Sequence, residues 1–420
     1  MTTSRLICSE PACGAIADRD AALTRCASCG GLLEFVHELE TTDTSAWREL
    51  WSSRLRSGRP CDRSGVWRFR ELLPEFGSAP VITLGEGRTP MPEAPRTAAW
   101  SGVSRLATKH LGANPTGSFK DLGMTVAISE AVRLGKRAVA CASTGNTSAS
   151  MAAFAARAGL RSVVFVPRGA VSLAKLAQAL DFGGLILEAG ETFDQAFATL
   201  RELAPEFGLY LVNSINPLRI EGQKTAILEI LEQRDWQAPD FVALPGGNLG
   251  NCSAIGKGLR ELQELGWLDR MPRVVVTQAE GASPFHRMWR NGSRDLIPEE
   301  HPATRATAIR IGSPANWSRA RRVLDMTNGL TAAVSEQEIA AAKRQLALEG
   351  IGCEPASAAA VAGVRQLRQA GEIPPDADVV AILTGHQLKD PQYITEVNRA
   401  EADPGPRHDL RAQVARWLSE

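Results

Sequence analysis

A single lysine follows a turn in NPTGSFKDLGM, residues 114–124. Small, hydroxyl-bearing and glycine residues precede Lys120, and the run after it reads as the start of a helix. Held in a cleft, a lysine amine loses part of its basicity and becomes a usable nucleophile and proton carrier. STGNTSAS, residues 143–150, gathers hydroxyls and an amide where another helix begins. A plain cap needs one of them; the others can donate to an anion or a phenolic oxygen. In PGGNLGN, residues 245–251, a strand passes through a glycine-rich turn into a helix. Its free backbone amides and the helix dipole suit a phosphate. The glycines do not fall as G-x-G-x-x-G and no G-K-[ST] follows, which sets aside the dinucleotide and P-loop fingerprints. LTGHQLKDP, residues 383–391, adds the Thr384 hydroxyl and His386 at a strand end. A cleft lysine, a distant phosphate cradle and a hydroxyl at a strand end together suit pyridoxal phosphate, carried as an imine on Lys120.

Such loops need a frame. Short β-branched runs alternate along the chain with longer alanine-rich helical patterns, which predicts an α/β fold. The strand candidates are VSRLATKHL, RAVACAS, SVVFVP, LILEAG, LYLVNS, DFVALPG, RVVVTQAEG and DVVAILTG. Most are continuous apolar runs, as expected of parallel strands covered on both faces. SASMAAFAARAG, TFDQAFATLRELAPEFG and SEQEIAAAKRQLALEG read as helices between them, and AEADPGPRHDLRAQVARWLSE as a turn and closing helix. In open α/β sheets ligands lie beyond the carboxyl ends of the strands, which is where all four unusual loops fall.

At 420 residues the chain is longer than one core usually supports, so two packed domains are expected. Lys plus Arg and Asp plus Glu each number 47, which gives no reason to expect a nucleic-acid partner. No apolar run suits a signal peptide or a membrane span, and the expected location is the cytoplasm. Eight cysteines in a reducing compartment point to metal or packing rather than disulfides. Cys8 and Cys13 form a C-x4-C pair and Cys26 and Cys29 a C-x2-C pair, each near a glycine, a pattern suited to a closed structural zinc site. Cys61, Cys141, Cys252 and Cys353 are scattered among apolar or small residues and are expected to pack as small hydrophobes.

Taken in order, LGEGRTPM, NPTGSFKD, STGNTSAS, NSINPLRIEGQKT, LPGGNLGN, IRIGSPANWSRA, EPASAAA and LTGHQLKDP resemble the motifs of the threonine synthase family, and the match runs over nearly the whole chain. CGGLLEF, after the paired cysteines, is similar to the short ribbon at the front of many members. The resemblance implies a tryptophan synthase β-like fold with two open, twisted, mostly parallel α/β domains and the cofactor between them. Residues 41–112 with 215–420 would form the larger domain and 113–214 the smaller, behind a zinc-ribbon-like segment at 1–40. It implies that Lys120 carries the cofactor, that Asn146 bonds its phenolic oxygen and that Thr384 faces its pyridine nitrogen. The backbone of Gly246, Gly247, Asn248, Leu249, Gly250 and Asn251 would hold its phosphate. Thr147, Asn213, Ser214 and Arg219, with Ser143 beside them, would grip a substrate phosphate, for which the planar fork of an arginine is well suited. The implied reaction turns O-phospho-L-homoserine and water into L-threonine and phosphate. The expected partners are that small phosphorylated amino acid and a second copy of the chain in a homodimer, with no nucleic acid and no membrane.

Three positions depart from the family pattern. Where K-x-E-x-x-N-P, F-K-D-R-G and T-G-H-G are usual, this chain has Leu111, Leu122 and Gln387. If the missing glutamate and arginine pair with each other, their joint replacement is compensated. If they shape the cleft, the chain is a paralogue acting on another phosphorylated or activated amino acid, such as phosphoserine.

Overall fold

The computed structural model describes residues 4–39, 44–169 and 173–397, with Arg411, Val414, Ala415 and Leu418 from the tail. The chain divides at Lys389: one compact unit precedes it, and the second, from Asp390, contains the helix Pro391–Val397. The expected closing helix at 400–420 lies outside the described residues apart from those four, each of which is helical.

Three sheets organise the first unit. Strands β1 (Ser4–Cys8), β2 (Ile16–Ala17) and β3 (Leu33–His37) form an antiparallel ribbon in the order β2-β1-β3. Strands β4 (Arg105–His110), β9 (Phe241–Pro245), β10 (Arg273–Ala279), β11 (Leu330–Val334) and β12 (Asp378–Leu383) form a parallel sheet in the order β11-β10-β9-β12-β4. Strands β5 (Ala138–Ala142), β6 (Arg161–Val166), β7 (Leu185–Glu188) and β8 (Tyr210–Leu211) form a second parallel sheet in the order β7-β6-β5-β8. The α/β expectation therefore holds. Each of the eight strand runs read from the sequence contains an observed strand, although only two residues of LYLVNS are extended.

The continuous apolar runs have the cause expected of them. Along β9, Val242 and Leu244 enter one core while Phe241 and Ala243 enter another, and β12 divides in the same way. In the smaller sheet, Val139 and Cys141 face the first core while Ala140 and Ala142 face a third. Strand side chains alternate between faces, and here both faces are covered by helices. Cys141, Cys252 and Cys353 are buried in these cores and Cys61 packs against the first, so the four scattered cysteines are packing residues.

Two contacts between elements set the geometry of the site. The helices Lys120–Arg133 and Pro217–Gln223 cross so closely that a Cβ on Gly222 would lie 1.8 Å from the Leu122 carbonyl oxygen. One on Gly123 would lie 2.6 Å from the Arg219 carbonyl oxygen, so glycine is required on both sides of the crossing. The ribbon then holds these helices from behind. Arg19 forks onto the Glu130 carboxylate through bonds of 2.8 and 2.6 Å. At the end of β3, His37 meets Glu221 at 2.7 Å, and Lys224 bridges Glu221 and Glu261 at 2.7 and 2.9 Å. Lys257 joins the cluster 3.0 Å from Glu221 and donates to the Phe35 carbonyl. Desolvation raises the pKa of Glu221, but Lys224, Lys257 and His37 together hold it well below the ordinary carboxylate range. Every charge in this cluster has an opposite charge beside it, as a buried network requires.

Replacing Gly222 with alanine forces the two helices apart against backbone atoms, and overpacking of this kind costs about 1–3 kcal/mol. Gly222→Ala should therefore lower the urea midpoint clearly. Gly58→Ala, with no atom within 4 Å of its added Cβ, should leave it nearly unchanged; equal midpoints for the two variants would contradict the close crossing.

Candidate active site

Lys120 begins the helix Lys120–Arg133, and the loop before it is tied at several points. The Asn114 side chain donates to the Leu111 carbonyl and accepts from the Gly87 amide, both at 2.8 Å. Buried Asp121 accepts from the Thr116 amide at 2.7 Å and from its hydroxyl at 2.6 Å. The Phe119 amide donates to the Thr384 carbonyl and the His386 amide to the Gly117 carbonyl, each at 2.9 Å. The lysine loop is thus bonded to the carboxyl end of β12, which brings Lys120 beside Thr384. Lys120 Nζ lies 3.9 Å from the centre of the Phe119 ring, and among the described residues no carboxylate comes within 4 Å of it. Desolvation, reinforced by the Arg219 charge, pushes its pKa down to about 7 against the attraction of Glu354.

Glu354, which immediately precedes the helix Pro355–Gln369, is the residue that joins the other elements. Its Oε2 accepts from Asn146 Nδ2 at 3.0 Å and its Oε1 from the Thr384 hydroxyl at 2.9 Å. Its amide donates to the Gly385 carbonyl at 2.9 Å, and Ser357 Oγ lies 3.0 Å from Thr384 Oγ1. Burial raises the Glu354 pKa, opposed by Asn146, Thr384 and Lys120. Asn146 and Thr384, predicted from separate loops, thus bond to one carboxylate whose charge also reaches Lys120 and whose role the sequence does not announce. The available signal was the glutamate of EPASAAA, placed just before a helix.

Arg219 is the third residue of the helix Pro217–Gln223, which Asn216 caps through a 2.9 Å bond from the Leu218 amide. It is 1% exposed; Nη1 donates to the Val212 carbonyl at 2.8 Å, and Nε has no partner. Desolvation brings its pKa down to about 10, opposed by Cys141 and Asp121. A cation in the first turn of a helix is also disfavoured by the dipole, so an anion is the partner this position lacks.

The remaining predicted residues are placed as follows. Asn213 accepts from the Ala142 amide at 3.1 Å and donates to the Ala142 carbonyl at 3.0 Å, fastening its own loop to the end of β5. Ser143 accepts from the Gly145 amide at 3.2 Å, and Thr147 lies in the first turn of the helix Asn146–Ala158. Ser214 abuts the glycine-rich loop, its Cβ 3.8 Å from where one would stand on Gly250.

That loop, Gly246 to Asn251, leads from β9 into the helix Gly250–Glu264. The Gly246 amide is used by the Thr277 carbonyl at 2.7 Å. Leu249 turns the chain with a φ of 61°, and among the described residues the amides of Gly247, Asn248, Leu249 and Gly250 find no backbone acceptor. A Cβ on Gly247 would lie 3.0 Å from the Ala308 carbonyl oxygen, so the loop cannot carry a side chain there without a shift. Both polar atoms of the Asn251 side chain are buried without partners. Free amides at a helix start beside an orphaned amide fit a bound phosphate group.

In the ribbon, the Sγ atoms of Cys8, Cys13, Cys26 and Cys29 all lie within 4.8 Å of one another, with 3.4 Å between Cys8 and Cys29 and 3.8 Å between Cys13 and Cys26. Tetrahedral zinc with Zn–S bonds of ~2.3 Å separates its sulfurs by about 3.8 Å. A Cβ on Gly31 would lie 2.6 Å from Glu10 Cγ and 3.2 Å from the Cys8 and Cys29 sulfurs, so a side chain beside the second pair would crowd all three.

Residues 82–385 match the model of the pyridoxal-phosphate dependent enzyme family. The chain is 45% identical to a threonine synthase of Methanosarcina acetivorans over 92% of each chain. It is 44% identical to one of Methanocaldococcus jannaschii, over 90% of this chain and 92% of the other. Among solved structures, the processed threonine deaminase isoform 2 of Solanum lycopersicum superposes with a TM-score of 0.64 at 20% identity, covering 86% of this chain and 90% of that one. A fungal L-serine ammonia-lyase from Rhizomucor miehei gives 0.64 at 22% identity, covering 74% and 98%. At these identities the two structures show a shared fold.

The depressed pKa of Lys120 has a consequence for stability. The unfolded chain holds this proton up to about pH 10.4, whereas the folded chain releases it near 7. Stability therefore rises with pH across that window, and the full penalty is present below it. Lys120→Met removes the penalty. In cofactor-stripped protein the variant should melt above wild type at pH 6.5, with the gap closing toward pH 10. A constant gap, or a less stable variant at pH 6.5, would show that the amine is not desolvated.

Proposed function

We propose that this chain, which belongs to the pyridoxal-phosphate dependent enzyme family and within it to the threonine synthases, converts O-phospho-L-homoserine and water to L-threonine and phosphate by γ-elimination and β-addition. The observation that carries the reading is Arg219, a buried guanidinium with no carboxylate within 4 Å among the described residues, whose charge is felt at Lys120. A phosphorylated substrate with an amino group at its other end meets both demands.

The residues fit the cofactor: Lys120 would hold it, the loop from Gly246 to Asn251 its phosphate, Asn146 its phenolic oxygen and Thr384 its pyridine nitrogen. Bound pyridoxal phosphate supplies an electron-accepting ring that spreads negative charge developing at substrate carbons. Lys120 does the proton work. With a pKa near 7 it can accept a proton from substrate Cα and return protons at Cβ and Cγ near neutral pH. A neutral hydroxyl at Thr384 leaves the pyridine nitrogen less protonated than a carboxylate would, which tempers the charge drawn into the ring. Glu354 keeps Asn146 and Thr384 in position.

Arg219, Ser143, Thr147 and Ser214 would bind the substrate phosphate. Asn213 contributes mainly by anchoring Ser214 against β5, since both ends of its amide are engaged by Ala142. The departures favour an unchanged cleft over a paralogue. Leu111 and Leu122 are 0% and 1% exposed among apolar residues, where leucine is accommodated without the desolvation cost a charge would carry. Gln387 is turned onto Gly352, whose added Cβ would lie 2.3 Å from its Oε1.

The same reading takes the four cysteines as a structural zinc site and the ribbon at 1–40 as its carrier. It places the smaller domain at 113–214, within which β5 to β8 all fall, and the larger at 41–112 with 215–420, the cofactor lying between them. It also takes the enzyme as a homodimer, to be checked by sedimentation. Support for zinc is the gathering of four thiols within 4.8 Å of one another.

Two experiments test these assignments. Wild type should make threonine and phosphate from O-phospho-L-homoserine and neither product from homoserine or phosphoserine. Arg219→Ala removes charge-assisted bonds worth about 1.5–3 kcal/mol, so kcat/KM should fall by about 10- to 100-fold while cofactor content stays constant. Faster turnover of phosphoserine, or an unimpaired Arg219→Ala, would overturn the substrate assignment. For the ribbon, metal analysis of protein purified without chelators should return one zinc per chain, and finding none would remove that assignment.

A further inference from the structure

A second place in the molecule holds a buried cation that, among the described residues, has no carboxylate within 4 Å, although Glu34, Glu10 and Glu221 attract it from farther away. A small cavity of about 60 Å³ lies between the helices Gly250–Glu264 and Trp317–Thr327, strand β3 and, through Ile220, the helix Pro217–Gln223. Ser253, Lys257 and Arg260 line it from the first helix, Arg319 and Arg322 from the second, and Glu34 from the strand. The charges facing it are therefore four cations and one carboxylate. Lys257 is already balanced by Glu221 at 3.0 Å and Glu261 at 3.2 Å. Arg260 has only long contacts, 3.6 Å to Glu34 and 3.9 Å to Glu264.

Arg319 is the unusual member. It is 6% exposed, donates to the neutral Leu33 carbonyl and, at 3.2 Å, to Asn316 Oδ1, and its Nε is buried without a partner. Among the described residues no carboxylate lies within 4 Å of Arg319 or Arg322. Removing a guanidinium from water without a matching anion is costly, and buried charges are ordinarily paired.

The cavity is also bonded to the loop. Asn316, which accepts from Arg319, donates its side-chain amide to the Asn248 carbonyl at 3.2 Å, and the Ala315 amide donates to Asn248 Oδ1 at 2.6 Å. Ser253 and Lys257 stand on the helix that Gly250 begins.

We infer that this cavity is a second anion site, separate from Arg219 and from the glycine-rich loop, that takes a phosphate group and transmits its occupancy through Arg319 and Asn316 to Asn248. The volume suits one phosphate group, so the occupant is orthophosphate or the terminal group of a phosphomonoester whose remainder stays outside. Binding there tightens the hold of Arg319 and shifts the hydrogen bonds on Asn248. The binding claim does not depend on the proposed reaction; the transmission claim rests on the loop being the cofactor's phosphate site.

The test uses holoenzyme carrying Arg219→Ala, which weakens competition from the substrate-phosphate site. Calorimetric titration with orthophosphate and separately with glycerol phosphate should show one site per chain. Adding Arg260→Gln and Arg322→Gln, both at positions that are not fully buried, should weaken it at least tenfold without lowering the melting temperature. Tighter binding of glycerol phosphate would assign the site to a phosphomonoester, and equal or weaker binding to orthophosphate. The visible absorbance of the bound cofactor should shift with the same titration midpoint. Absence of binding in Arg219→Ala, or binding indifferent to the two glutamine substitutions, would overturn the site. Binding without any spectral change would overturn the transmission alone, and the threonine synthase reading would stand in either case.

Discussion

Lys120 and Arg219 share one low-dielectric region where, among the described residues, no carboxylate is in ion-pair contact with either, and much of the surrounding architecture serves to maintain that arrangement. Both are removed from bulk water and lose basicity for that reason, and Lys120 loses more because the Arg219 charge repels its proton. The helices carrying them cross at Gly123 and Gly222, and a larger residue at either position would push the charges apart. Helix starts at Lys120, Asn146 and Gly250 bring further positive potential to the loops of the site. A site built in this way gains most when phosphates enter it.

The contrast with other buried cations is informative. Lys109 meets Glu229 at 2.7 Å, Lys224 bridges Glu221 and Glu261, and Lys257 has the same two partners. These charges are compensated and hold elements together, the ribbon to the helix of Arg219 among them. Among the described residues, Lys120, Arg219 and Arg319 have no carboxylate within 4 Å. The compensated cations fasten the fold, and the proposed anion-binding roles fall on cations that lack such compensation.

Most of the site was legible in the sequence because its loops require particular backbones. A left-handed turn at Leu249, a close approach at Gly247 and a proline-initiated, asparagine-capped helix before Arg219 each leave a residue signature. What escaped depends on assembly. Strand β11, LTAAV, was not anticipated because its two alanines have weak strand preference. The helix signal beside it is also strong, with Ser335 and Glu338 forming a capping box. The ribbon strands are short and their pairing is nonlocal, so they were read as a cysteine-bearing segment without strand assignments. Glu354 gains its meaning only when the ends of β5 and β12 meet at its carboxylate, and no single stretch of sequence contains that junction. The Leu111 and Leu122 departures looked chemically serious in the sequence, and burial in one apolar core makes them ordinary.

The most direct test of the central claim is the titration of Lys120 itself. Reductive ¹³C-methylation of cofactor-stripped protein, followed by NMR, would give a Lys120 resonance identifiable by its loss in Lys120→Met. The account predicts a midpoint near pH 7 that moves upward when Arg219 is replaced by glutamine, because one of the two causes of the depression is then removed. A midpoint near the ordinary lysine value of about 10.4, unchanged by Arg219→Gln, would contradict it.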